Sequence, residues 1–220
     1  LANLETTARN IFRQVRNHPS IIEFDGGNEM PWKSNTVHPA LQLLQRIAAE
    51  EDGRMFRATC PDLGASHGPW DFELTRRCKH YDEKETMRYG EFGASGPANL
   101  EVWRRTIPPK SQWPVVGVQE PVLIRKNVVQ AVFGPDFWLR KGFLDATFGP
   151  AGDLPEMIRT GQLYGAEGLR YAIDALRRHG RRLGGLTTWD FNEPWPNGAG
   201  SYMIDYDGRP LMNYDFVRQA

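Results

Sequence analysis

The clearest indication of the fold lies in the segment Arg16-Asn17-His18-Pro19-Ser20-Ile21-Ile22-Glu23-Phe24-Asp25-Gly26-Gly27-Asn28-Glu29. It follows residues 4–15, whose apolar side chains recur at helical spacing. The residue before Pro19 disfavours the α region, so the helix is predicted to end there. Residues 20–24 are then predicted as a short buried strand. A Gly-Gly pair allows a tight turn and the close approach of a ligand. The stretch therefore predicts helix, strand, turn and then the polar pair Asn28-Glu29.

The same alternation continues along the chain. Short apolar strands are separated by amphipathic helices, which is typical of βα units around a parallel sheet. Segments rich in aromatic residues, Gly and Pro come just after the predicted strands, and in a (β/α)₈ barrel such segments form the catalytic face. The further predicted helices are 38–50 and 167–178, and the further predicted strands are 55–59, 88–92, 185–191 and a weaker one near 66–72.

Composition narrows the class of protein. The 220 residues carry 27 Lys plus Arg and 27 Asp plus Glu, so the formal net charge is zero. A protein that binds through phosphate contacts would carry a basic excess, and no apolar stretch is long enough to span a membrane. We therefore expect a soluble globular protein without a nucleic-acid or membrane partner. Because the chain starts at Leu1, it is predicted to begin within a longer protein, which leaves its localisation open.

Glu29 is the first candidate for chemistry. It follows a buried strand and a Gly-Gly pair, and together with Asn28 it offers hydrogen bonds to a polyhydroxylated substrate. The alternative is that Asn28-Glu29 caps the helix that follows. The local sequence does not decide between the two.

Glu91 lies in a second glycine-flanked strand, residues 88–93. A carboxylate among aromatic and small residues is costly unless it is paired or lies in a solvated site, so a structural, salt-bridged Glu91 is the alternative. Two such glutamates favour a glycosidase. A retaining enzyme needs a protonated acid and an ionised nucleophile whose carboxyl groups are about 5–5.5 Å apart.

Aromatic residues supply the candidate sugar contacts. In residues 187–197, Trp189 offers a flat apolar face for sugar C–H groups, and Asn192 and Trp195 follow it. The alternative is a core Trp beside a Pro-rich turn. Trp70 and His67 also follow a predicted strand, where a buried aromatic side chain or a structural His is equally compatible with the sequence.

Other catalytic motifs are missing from the sequence. No GxGxxG phosphate loop follows a strand and no HExxH occurs. The Gly-x-Ser-x-Gly elbow is absent as well. The two cysteines, Cys60 and Cys78, form neither a disulfide framework nor a metal motif, and the histidines are not spaced as metal ligands.

Three motifs together resemble glycoside hydrolase family 2. Residues 16–29 resemble its segment RNHPS, hydrophobic residues, GNE. Residues 90–93, Gly-Glu-Phe-Gly, look like its SEFG motif with Gly90 in place of the usual Ser. Residues 185–196 and 204–210 are similar to its W-x-x-N-D-x-W-P and I-D-Y-x-G strings, with Asn192-Glu193 in place of Asn-Asp. The last strings are typical of the β-mannosidase and exo-β-glucosaminidase branch, as are Gly161-Gln162 and Ala166-Glu167 ahead of the last helix.

The resemblance implies an α/β fold: the C-terminal portion, about strands 4–8, of a (β/α)₈ TIM barrel. Residues 1–220 would be a partial catalytic domain whose first barrel strands and β-sandwich domains lie outside this chain. It implies Glu29 as acid/base, Glu91 as nucleophile and Asn28 at the sugar 2-hydroxyl, with no metal or organic cofactor. The expected substrate is an oligosaccharide or glycoside, most closely a β-mannoside. A β-galactosidase, a β-glucuronidase or a non-catalytic carbohydrate-binding barrel are the alternatives.

Overall fold

The structure is a computed structural model that describes residues 1–30, 38–62, 65–70, 78–83, 86–115 and 139–220. The chain divides into two compact units. The first contains Leu1–His67 and Thr86–Gly90, and the second contains Gly68–Glu85 and Glu91–Ala220. The division passes through one strand, β4 (Arg88–Phe92).

The first unit is built on a parallel strand pair with helices on one side. Its elements are α1 (Ala2–Val15), β1 (Glu23–Asp25), α2 (Pro39–Glu51), β2 (Met55–Arg57) and β3 (Ala65–His67), followed by the start of β4. Strand β1 pairs with β2 in parallel, with Phe24 opposite Phe56, and β3 is a neighbour of β4. The helix, strand, helix and strand predicted for residues 4–59 are all present. Strand β1 is shorter than predicted: residues 20–22 are outside the strand pairing and Ile22 is exposed.

The two faces of the β1–β2 pair differ sharply in chemistry. Phe24 and Phe56 pack against a core that contains Phe12 and Ile47 from the helices. Since side chains alternate along a strand, the flanking residues of β1 and β2 point the other way, and these are mostly charged. Arg57, only 2% exposed, bonds to Glu23 at 3.1 Å and to the Asp62 carbonyl at 2.6 Å. Arg88 of β4 pairs with Glu23 and Asp25. This face is therefore held together by ion pairs.

The second unit is mainly helical. Its elements are α3 (Cys78–Glu83), the end of β4, β5 (Gly96–Pro97), α4 (Leu100–Thr106), α5 (Pro109–Gln112), α6 (Lys141–Phe148), α7 (Leu154–Arg178), a 3₁₀ turn (Gly180–Arg182), β6 (Gly185–Thr188), β7 (Ala199–Gly200) and α8 (Met212–Gln219). Strand β6 is a neighbour of β4, and β5 pairs antiparallel with β7. The core is centred on Trp103 and the start of α7.

Helix α7 is longer than predicted. It begins at Leu154, where the Asp153 side chain accepts from the Glu156 amide at 2.8 Å as an N-cap. The predicted helix covers only its second half, and the Gly161-Gln162 motif lies inside the helix instead of ahead of it. The glycines that argued against a helix over the first half of α7 have a packing role. A Cβ at Gly161 would lie 2.5 Å from Pro97, and one at Gly165 would lie 2.9 Å from the Ser95 carbonyl.

The described residues confirm a mixed α/β organisation with a parallel β–α–β unit, β1–α2–β2. The strands among them are short and form small sheets, so membership of a TIM barrel stays a prediction. None of the described helices combines the length and hydropathy of a membrane-spanning segment.

Candidate active site

Glu29 lies just beyond the parallel strand pair of the first unit. Beyond β1 and β2, the two segments that follow these strands remain side by side. The Cys60 amide donates to the Gly27 carbonyl at 3.0 Å and the Glu29 amide donates to the Cys60 carbonyl at 2.6 Å. Glu29 has φ of +51°, a left-handed conformation that few non-glycine residues adopt and that is enriched at functional sites. Its side chain is 56% exposed.

The capping alternative for Asn28-Glu29 is wrong. Helix α2 begins at Pro39, and its N-cap is His38, whose Nδ1 accepts from the Ala40 amide at 3.2 Å. Asn28 instead forms a parallel bridge with Cys60. The strand-end position of both residues is therefore set by pairing with the segment after β2.

His67, at the end of β3, contacts Glu29. Its Nδ1 lies 3.1 Å from Glu29 Oε1, and its Nε2 lies 3.0 Å from Cys60 Sγ. The imidazole is 5% exposed. The structure thus brings together Glu29, His67 and Asn28 of the predicted site within the first unit. Cys60 joins them, although the sequence analysis gave it no role. The signal that could have found Cys60 is its place after β2, which matches the place of Glu29 after β1.

Glu91 lies in the second unit, in the last part of β4, and is partly buried. Its carbonyl accepts from the Gly68 amide at 2.8 Å, and the carbonyl of the next residue, Phe92, accepts from the Trp189 amide at 2.7 Å. These bonds fix the backbone of the predicted nucleophile. They also place Trp189 directly beside this strand.

Trp189 is held by Ser201 and Trp70 in the second unit. Ser201 Oγ donates to its carbonyl at 2.6 Å, and its ring meets that of Trp70 edge to face, with centroids 6.4 Å apart. Both indoles are partly buried against the core of the unit. Gly93 is required here because a Cβ would lie 2.0 Å from Ser201 Oγ and 2.3 Å from the Trp189 carbonyl oxygen. Trp189 is thus anchored in the core of the second unit while part of its side chain remains exposed.

Two carboxyl groups follow Trp189. Burial raises the pKa of Asp190 from its ordinary 3.8 to about 6. Burial also raises the pKa of Glu193, although hydrogen bonds from the Trp195 amide and the Asn197 side chain oppose the shift. Desolvation disfavours the charged form in both cases. Carboxyl groups whose pKa is raised by burial are common at functional sites, although structural groups show such shifts as well.

Glu193 belongs to a partly buried network that no sequence motif indicated. Its two carboxylate oxygens accept from the Trp195 amide at 3.0 Å and from Asn197 Nδ2 at 2.6 Å. Asn197 Oδ1 in turn accepts from the Tyr202 hydroxyl at 3.1 Å. These hydrogen bonds connect the loop after β6 to Tyr202, whereas the side chains of Asn192 and Trp195 on the loop are exposed, Trp195 by 61%.

The predicted site residues thus divide between the units. Asn28, Glu29 and His67 belong to the first. The second contains the other five, namely Trp70, Glu91, Trp189, Asn192 and Trp195. Their roles toward a substrate stay predictions.

Solved structures of glycosidases share this fold. The chain superposes on β-D-mannosidase from Dictyoglomus thermophilum with a TM-score of 0.77, at 20% identity, over 99% of this chain and 28% of that one. The exo-chitosanase of Amycolatopsis orientalis, in complex with PNP-β-D-glucosamine, matches with a TM-score of 0.72 at 16% identity, over 99% of this chain and 27% of that one. No protein-family model matches the chain, and no curated protein matches it in sequence.

These matches establish the fold and its extent. The chain spans little more than a quarter of the length of these glycosidases. Its fold is therefore that of one portion of a larger glycosidase chain.

Proposed function

We propose that this chain carries the two catalytic carboxylates of a retaining exo-acting β-glycoside hydrolase, most closely a β-mannosidase. The observation that carries the proposal is the position of the motif glutamates: Glu29 follows β1, which pairs in parallel with β2, and Glu91 lies near the end of β4, in a chain with the fold of part of a β-mannosidase. Carboxylates at strand ends are the groups that a double displacement requires.

The reaction follows from the roles of the two groups. Glu91 attacks the anomeric carbon while Glu29 gives its proton to the departing glycosidic oxygen, so the C–O bond breaks and a glycosyl ester forms. Glu29, now ionised, removes a proton from water, which attacks the anomeric carbon and releases Glu91. Asn28 would bind the 2-hydroxyl, and Trp189 would stack against the sugar ring. The β configuration is retained.

The test uses the full-length protein that contains this chain and aryl β-glycosides of mannose, glucosamine, galactose and glucuronic acid. We expect the highest kcat/KM on the mannoside and loss of turnover in Glu91→Gly. With p-nitrophenol as leaving group, Glu29→Gln should lower kcat/KM about 10²–10⁴-fold. With 2,4-dinitrophenol, which leaves without a proton, the rate of glycosidic bond cleavage should fall much less. Turnover by Glu91→Gly at the wild-type rate would refute the assignment.

Glu101→Gln is the matched control, because Glu101 is an exposed glutamate on α4 and the change should leave turnover unaltered. A preference for the galactoside or glucuronide would keep the mechanism and change the sugar. Calorimetric binding of a sugar without any hydrolysis would instead support the carbohydrate-binding alternative.

A further inference from the structure

Three side chains of the first unit form a continuous hydrogen-bonded row. Cys60 Sγ lies 3.0 Å from His67 Nε2, and His67 Nδ1 lies 3.1 Å from Glu29 Oε1. Cys60 is 7% exposed and the imidazole 5%, whereas Glu29 is largely exposed. The row therefore runs from a buried thiol to a carboxylate that solvent or a substrate can reach.

Cys60 also reaches Glu29 through the backbone. Its carbonyl accepts from the Glu29 amide at 2.6 Å. One residue thus fixes both ends of Glu29: the main chain directly and the carboxylate through His67. Such contacts are also what maintains the left-handed backbone of Glu29.

The chemistry of the row determines where its protons lie. A neutral imidazole donates from one nitrogen and accepts at the other. Glu29 Oε1 can accept whether the carboxyl is ionised or carries its proton on Oε2, so Nδ1 carries the proton that faces Glu29 and Nε2 accepts from the Cys60 thiol. The thiol is a weak donor, but at a buried site it selects one tautomer over the other.

Gly90 makes room for the row. A Cβ at this position would lie 2.3 Å from Cys60 Sγ and 3.1 Å from His67 Nε2. Gly90 is also the residue that departs from the usual Ser of the motif that this strand resembles. The departure has a physical reason here, since a serine side chain and the thiol cannot occupy the same space.

We propose that Cys60 and His67 form a positioning pair that orients the carboxylate of Glu29 and stabilises its ionised form during the second catalytic step. The inference rests on the proposed function, in which Glu29 loses its proton to the leaving group and then acts as a base. His67 donates its Nδ1–H to that carboxylate, and Cys60 keeps His67 in the required tautomer. The predicted contact of His67 with the sugar is the alternative to this role.

The first test is spectroscopic and independent of activity. The full-length protein, labelled with ¹⁵N-histidine, is compared with Cys60→Ala and Cys60→Ser, and His67→Asn identifies the signals of His67. We expect the Nδ1–H tautomer in the wild type and in Cys60→Ser, which keeps a donor. Cys60→Ala should move His67 toward protonation at Nε2. An Nε2–H tautomer in the wild type, or identical His67 signals in all three proteins, would overturn the pair.

The second test is kinetic and uses 2,4-dinitrophenyl glycosides of the sugar that the wild type cleaves. With this leaving group the second step limits turnover, so His67→Leu should lower kcat about tenfold and lower KM as the glycosyl enzyme accumulates. His67→Asn, which can keep an N–H near the position of Nδ1, should recover part of kcat. A raised KM with unchanged kcat would show that His67 binds the sugar and would reject the positioning role.

A double-mutant cycle tests the contact itself. Gly90→Ala should lower the melting temperature much more in the wild type than in Cys60→Ala, where the sulfur is gone. Equal losses in both backgrounds would contradict the geometry. If the wild type hydrolyses no glycoside, the proposed function fails, while the tautomer measurement and this cycle still decide whether the pair exists.

Discussion

The indole of Trp70 meets the indole of Trp189 edge to face, with ring centroids 6.4 Å apart and planes at 81°. Such pairs contribute about 0.5–1.5 kcal/mol beyond the area they bury. Trp189 is also fixed through its amide and carbonyl, by Phe92 and Ser201. The orientation of the Trp189 indole, the proposed sugar platform, is therefore fixed by hydrogen bonds to its backbone and by the ring contact with Trp70.

Replacing the two indoles should separate these roles. Trp189→Leu should lower kcat/KM on the preferred aryl glycoside by about tenfold or more, because stacking area is lost. Trp70→Leu should cause a smaller loss in the same direction, since Trp189 remains but is less well oriented. Steady-state kinetics measures both. Trp113→Leu is the control, because Trp113 packs against the same core and should affect stability only; a similar loss of kcat/KM in all three variants would reject the platform.

Gly93 should not tolerate even one methyl group. The Cβ of Gly93→Ala would meet Ser201 Oγ at 2.0 Å and the Trp189 carbonyl at 2.3 Å, and backbone cannot move away cheaply. We expect a loss of about 3 kcal/mol or more in the free energy of unfolding, measured by urea denaturation. Gly185→Ala in β6 is the matched control, because nothing lies within 4 Å of its Cβ; its stability should change by less than about 0.5 kcal/mol. Equal costs at the two sites would contradict this packing.

Asp190 should make folding depend on pH in an unusual direction. Burial raises its pKa from 3.8 to about 6, so between these values the folded state holds a proton that the unfolded state has lost. Stability therefore falls as pH rises from about 4 to 6. Asp190→Asn removes this pH-dependent loss of stability. We expect the variant to be about 1–2 kcal/mol more stable than the wild type at pH 7, a value that is reduced for the partial exposure of Asp190.

Urea denaturation at pH 3 and pH 7 checks the Asp190 prediction. The gain in stability should be present at pH 7 and nearly absent at pH 3, below both pKa values, where Asp190 is largely protonated in the folded and the unfolded wild type. A variant less stable than the wild type at pH 7 would show that the ionised carboxylate has a favourable partner.

Arg57 should be essential to the charged face of the first unit. Its guanidinium is almost fully buried and bonds to Glu23 and to the Asp62 carbonyl. Arg57→Met leaves the partly buried Glu23 with one fewer cation. We therefore expect the free energy of unfolding, measured by chemical denaturation, to fall by about 3–5 kcal/mol. Arg46→Met is the control: Arg46 is exposed and its carboxylate partners lie 3.8 and 4.0 Å away, so its loss should be below about 1 kcal/mol. Comparable losses of stability in Arg57→Met and Arg46→Met would contradict a structural role for the buried Arg57 ion pair.

Local sequence patterns predicted the elements whose signals are themselves local. The helical spacing of residues 4–15 predicted α1, and the Gly-flanked strands predicted the positions of Glu29 and Glu91. Helix α7 shows where such patterns fail. Pro155, Gly161, Gly165 and Gly168 argue against a helix in the sequence. In the structure Pro155 lies in the first turn and the glycines lie on the buried face, where at least Gly161 and Gly165 allow close packing.

The alternation of helices and strands and the strand-end positions of the two glutamates follow from local sequence, because hydrophobic periodicity and turn chemistry act over a few residues. Which side chains meet depends on the tertiary fold. His67 reaches back 38 residues to Glu29, Arg57 reaches back 34 residues to Glu23, and a buried thiol lies against the imidazole. Parallel strands are joined by long connections, so residues far apart in sequence become neighbours on one sheet face, and burial then favours those polar side chains that find partners there.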